Sequence, residues 1–95
     1  MKITKVDVKP EEREGSRMKA RAQVVIDDGL AIHNIRIIEG KNGLFIAMPS
    51  TSREEEHDGE MITVHRDIVH PINPEVRAMF EEEILAEYRK YEKNN

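Results

Sequence analysis

Ninety-five residues, 36% of them charged and 38% apolar, leave room for one domain with a thin core and exclude two ordinary ones. Cysteine is absent, which excludes disulfides, thiolate metal sites and cysteine nucleophiles together. The net charge of −4 argues against a strong non-specific polyanion binder, but it is uneven: residues 1–53 carry ten Lys and Arg against seven Asp and Glu, and residues 54–95 carry five against twelve.

In chain order, Lys2 to Val8 reads as a short β-branched strand, and Pro10 to Ser16 as a polar loop closed by Gly15-Ser16. Met18, Ala20, Ala22, Val24 and Ile26 then alternate with Lys19, Arg21, Gln23 and Val25, the period of a half-buried strand. Asp27-Asp28-Gly29 predicts a tight turn, with Asp-Gly supplying the positive φ angles, and an antiparallel return over about residues 30–39. The apolar parity of that return slips between Ile32 and Ile35, which predicts a β-bulge at His33-Asn34. Gly40-Lys41-Asn42-Gly43 is a further turn, lacking both the Walker and the dinucleotide patterns.

Leu44 to Met48 is apolar at every position, so this strand is expected to be covered on both faces or to lie in a subunit interface. Leu44, Phe45, Ile46 and Met48 are the candidate interface residues of a homodimer. Thr51 to Glu60 reads as a long charged loop containing Asp58-Gly59, and Met61 to Val69 as a return to strand. Asn73 is a helix N-cap with Pro74 at the first helical position. Val76, Met79, Phe80, Ile84, Leu85, Tyr88 and Tyr91 then form one stripe at helical spacing, and the last residues, Lys93 to Asn95, are expected to fray. The expectation is an α+β domain over residues 1–95: four or five antiparallel strands within about 2–69, then a helix over about 74–91, assembled as a dimer.

The sequence offers little to catalysis. His33, His57, His65 and His70 show no metal-ligand spacing, and Ser16, Ser50 and Ser52 lack a nucleophile elbow. The reading is therefore a binding protein, not an enzyme, with no cofactor, no metal and no small-molecule substrate. The longest strongly apolar run, Leu44 to Met48, is far too short to cross a bilayer, and no apolar run of signal length follows Met1, which predicts a cytoplasmic protein without a membrane partner. Lys19 and Arg21 share the polar face of the second strand, where Arg36, Lys41, Arg53 and Arg66 would join them if the strands pair in order.

Two blocks carry a resemblance. The run from Ile32 through Gly40-Lys41-Asn42-Gly43-Leu44-Phe45-Ile46-Ala47-Met48-Pro49-Ser50 and the run Arg66-Asp67-Ile68-Val69-His70-Pro71-Ile72-Asn73 resemble the SpoVG family of stage V sporulation or septation proteins. Met1 to Thr4 and Leu85 to Tyr88 agree with it as well. The resemblance implies a cytoplasmic bacterial regulator linked to septation and sporulation, folded as an antiparallel sheet with a C-terminal helix, dimeric, and binding DNA and in some cases RNA. It implies a basic loop after Met-Pro-Ser that contacts nucleic acid. Here only Arg53 matches that pattern, and Glu54, Glu55 and Glu56 follow it, so phosphate binding is expected to be weakened. Arg53, Lys41, Arg66 and Arg36, in that order, are the candidate phosphate contacts. Asp67 and His70 are expected to support the entrance of the helix. The alternative is a regulator that docks on another protein without touching nucleic acid.

Overall fold

A computed structural model describes residues 1–11 and 15–93. Glu12, Arg13 and Glu14 of the expected first loop, and Asn94 and Asn95 of the expected frayed end, lie outside the described residues. Among the described residues six strands precede one helix: β1 (Ile3–Pro10), β2 (Met18–Ile26), β3 (Leu30–Gly40), β4 (Gly43–Ala47), β5 (Ser50–His57), β6 (Glu60–Asp67) and α1 (Pro74–Lys93). The α+β class, antiparallel pairing and C-terminal helix are as expected. The strands divide in two. β1 to β4 form a sheet in sequence order, and β5 with β6 forms a separate ribbon.

The alternation read in β2 points Ala20, Ala22, Val24 and Ile26 into the core. β2 meets β3 through the turn at Asp27–Asp28, where the Gly29 amide donates to the Ile26 carbonyl at 2.9 Å. Its central residues are Asp27 and Asp28, at φ 51° and 53°, so the left-handed positions fall one residue earlier than the Asp-Gly pair expected to supply them. On β3 the pairing jumps from Ile32 opposite Val24 to Ile35 opposite Ala22. One extra residue is thus accommodated at His33–Asn34, with Asn34 at φ 64°, and the bulge returns Ile35 and Ile37 to the buried side.

Helix α1 lies on that side of the sheet. Phe80, Ile84, Leu85 and Tyr88 are buried against it, and Val76, Met79 and Tyr91 pack at the margin. Asn73 caps the helix, its Oδ1 accepting from the Val76 amide at 2.8 Å, while Glu75 in the first turn and Lys90 and Lys93 in the last suit the helix dipole. His70 and Asp67 take no part in this cap: His70 Nδ1 donates to the Pro71 carbonyl at 3.0 Å, and Asp67 ends the ribbon opposite Ser50.

β4 corrects the expectation for the all-apolar segment. It is one of the two outer strands of the sheet, and its two faces are treated differently. Ile46 and Met48 are buried in the chain's own core, Leu44 packs against that core, and Phe45 stands 43% exposed on the opposite face. Ile46 and Met48 are already covered by this chain and have no side-chain surface left to offer a second subunit.

The second correction concerns Thr51 to Glu60. In place of a loop there is a β-hairpin, turning at Asp58 and Gly59 with φ 52° and 84°. Its strands carry no apolar alternation on β5, so periodicity had nothing to register. The ribbon projects from the sheet and scarcely touches it. Its root is held by the Ile68 amide donating to the Pro49 carbonyl at 2.8 Å. The projection explains a radius of gyration of 15.1 Å, where a compact chain of this length would have roughly 12 Å. No helix among the described residues is long and apolar enough to cross a membrane.

Candidate nucleic-acid interface

Paired residues on adjacent strands share a face, so the register sorts the candidate cations. On the ribbon, Arg53 stands opposite Val64 and Arg66 opposite Thr51. Arg53 and Thr51 are two apart on one strand, so Arg53 and Arg66 lie diagonally on the same face of an exposed arm. Glu55 shares that face and closes on Arg53 as an ion pair; its other carboxylate oxygen lies 3.3 Å from His57 Nε2. In this arrangement the strongest sequence candidate for a phosphate contact already holds a carboxylate.

Arg36 sits elsewhere. Half-buried on β3, it donates from Nη2 to the Met48 carbonyl at 3.1 Å and to Ser50 Oγ at 3.2 Å, bracing the passage from β4 into the arm. Lys41 occupies the β3–β4 turn, five positions beyond Arg36, roughly 16 Å away along an extended strand. There it borders a shallow hollow lined also by Arg17, Lys19 and Glu39. Lys19 is paired there with Glu39 at 3.3 Å. The structure brings Arg53 and Arg66 together and leaves Lys41 apart from them.

The cation that sequence reasoning missed, Lys9, lies with Arg21 and Arg36 on the sheet face turned away from α1. Lys9 stands opposite Arg21 across β1 and β2, and Arg21 opposite Arg36 across β2 and β3. The row ends at Ala47 of β4. Lys9 was invisible because β1 and β2 are joined by a long loop, whose length does not fix a register as a two-residue turn does. Two hollows run beside this row and share Arg21 and Asn34 as a common wall. One is lined also by Asp7, Lys9 and His33, the other by Arg36, Pro49, Ser50 and Ile68.

Several exposed apolar side chains lie beyond the sheet. Met61 and Ile62 lie on β6, and Ile68 and Ile72, the latter 88% exposed, lie in the segment that follows it.

A four-stranded antiparallel sheet backed by one helix, with a polar arm between them in sequence, defines a small α+β domain. The sequence matches the SpoVG family model over residues 1–90, and the chain belongs to that family. It is 47% identical over 95 residues to the "Putative septation protein SpoVG" of Caldanaerobacter subterraneus subsp. tengcongensis, covering 100% of this chain and 96% of the relative. It is 44% identical over 90 residues to "Putative septation protein SpoVG 2" of Listeria monocytogenes serotype 4b, covering 95% of this chain and 80% of the relative. The Geobacillus thermodenitrificans protein of the first name is 46% identical over 90 residues, covering 95% and 85%.

Proposed function

We propose that this chain is a homodimeric cytoplasmic regulator of septation and sporulation that acts by binding nucleic acid, with no catalytic step of its own. The septation role is drawn from the names of its relatives. The nucleic-acid role rests on one observation, the placement of Arg53 and Arg66 on a single face of an arm that stands clear of the sheet. Such an arm can enter a groove or follow a backbone that a flat domain surface cannot reach. Dimerisation is supported by the exposed Met61, Ile62, Ile68 and Ile72, and by the marginal stability of an isolated two-stranded ribbon in water. On this reading the pairing surface is the arm with residues 68–72, and Ile46 and Met48, buried in the chain's own core, take no part in it.

Fluorescence anisotropy of the full chain against labelled DNA and RNA, at low and physiological salt, tests this reading. The expected result is binding that falls steeply with salt and is lost in Arg53→Glu. Binding indifferent to both would remove the assignment. A second reading, docking on a protein partner, is favoured by Glu54, Glu55 and Glu56 on the same arm; absence of any nucleic-acid binding by the wild-type chain would select it.

A further inference from the structure

We infer that the open face of the β1–β4 sheet is a seat for single-stranded nucleic acid, with Lys9, Arg21 and Arg36 holding the backbone and Phe45 stacking a base. This deepens the nucleic-acid reading above and rests on it, but it assigns the contact to residues other than the arm.

The first support is an electrostatic imbalance. Arg21 and Arg36 stand directly opposite each other on neighbouring strands, an arrangement of like charges that costs stability, and Lys9 extends the row on the other side. Asp7 is the one carboxylate of the hollow beside Lys9 and Arg21 among the described residues. Among the described residues, Lys9 and Arg21 take part in no ion pair or side-chain hydrogen bond, and Asp7 of the same face is paired with Lys5 at 3.7 Å. Arg36 spends both its bonds from Nη2, leaving the Nε and Nη1 hydrogens for an anion. Adjacent strands are about 4.8 Å apart, so the row spans about 10 Å of backbone, enough to follow successive phosphates rather than a single one. The two hollows that meet at Arg21 and Asn34 give this row a continuous floor.

The second support is the aromatic ring. Phe45 pairs with Ile38 on the same open face, two positions along β4 from Ala47 at the end of the cation row. Its ring lies against Gly40, where an added Cβ would come within 2.9 Å of Cε1. The missing side chain lets the ring rest on backbone while the residue remains 43% exposed. A cationic track beside an exposed ring on a sheet is the combination that binds unpaired strands, because phosphates meet the charges and a splayed base meets the π-face. A duplex keeps its bases stacked on one another and would leave Phe45 unused.

The test titrates the full-length protein with a fluorescein-labelled single-stranded 12-mer of dT, the same length of rU, and a 12-base-pair duplex. Arg21→Gln, Phe45→Leu and Arg53→Gln are compared with wild type, with light scattering run on each. The expected result is tighter binding of the single strands than of the duplex. Arg21→Gln should weaken single-strand binding several-fold and lower the salt slope by about 0.7, one phosphate's worth. Phe45→Leu, which keeps an apolar cover over Gly40, should weaken single-strand binding by about fivefold or more and leave the duplex unchanged. Wild-type behaviour of both sheet variants alongside loss in Arg53→Gln would place the contact on the arm, overturning this site while the nucleic-acid reading stands. A wild type that binds none of the three probes would remove both. Dissociation of a dimer by Phe45→Leu would assign the face to a second copy of the chain and overturn the proposal.

Discussion

Arg77 of α1 donates from Nη2 to the carbonyl of Ile46 at 3.1 Å, tying the first turns of the helix to an outer strand of the sheet. Its Nε is shared with Glu81 at 3.1 Å, one helical turn on, which holds the guanidinium in place. The terminal strand of a sheet exposes backbone groups that invite pairing with another chain, and a guanidinium laid on that edge blocks it. Arg77→Ala is therefore expected to lower unfolding free energy by about 1.5 kcal/mol, the scale of a charge-assisted hydrogen bond to backbone. Urea denaturation would measure it. Light scattering should also show concentration-dependent self-association beyond the wild-type state. An unchanged midpoint with unchanged mass would mean that the contact neither stabilises nor guards the edge.

Glu55 sets the charge that the arm presents. It binds Arg53 through one carboxylate oxygen and approaches His57 through the other. Glu55→Gln removes the competing anion and leaves the strand geometry intact. If the arm contacts phosphate, this variant should bind nucleic acid several-fold more tightly than wild type, with a salt slope steeper by nearly one unit. Anisotropy titrations at two or three salt concentrations give both quantities. Equal affinity and slope would show that Arg53 is not held back by its neighbour.

Local patterns in the sequence reached the sheet and the helix because each is written in adjacent residues. Alternation from Met18 to Ile26 placed β2, and the parity slip at His33–Asn34 located a bulge that the pairing reproduces. What failed were features set by distant residues. Ile46 and Met48 are covered because α1, about thirty residues later, folds over them. The arm went unseen because β5 is held by pairing with β6 and carries no apolar period. Among the candidate cations, Arg53 and Arg66 share a face through their cross-strand register, and the row from Lys9 to Arg36 exists only once three strands are aligned.

Asn73 supports the whole of α1 from a single position. Its Oδ1 satisfies the Val76 amide and its carbonyl accepts from Arg77 at 3.2 Å, starting the helical ladder. Asn73→Ala should cost about 1 kcal/mol, whereas Asn73→Asp should be close to neutral, because aspartate caps equally well. Thermal melts followed by circular dichroism would separate the two. Equal losses would mean that the side-chain bond is not what the position contributes.

Tyr88 gives the fold a limit at high pH. Burial on the sheet-facing side of the helix raises its phenol above the ordinary value of 10.0, and the nearby Glu92 carboxylate raises it further, through charge and a hydrogen bond. The folded state therefore holds the proton more tightly than the unfolded chain. The sign follows from linkage: stability is fully present below pH 10.0, and falls as pH rises through the raised folded value, because the unfolded chain ionises first. Tyr88→Phe cannot ionise, so its stability should decline less between pH 9.5 and 11.5 than that of the wild type. At pH 7 the loss of its hydrogen bond should make it slightly less stable. Urea midpoints taken across that range would show the two curves converging, and parallel curves would place the alkaline sensitivity elsewhere in the molecule.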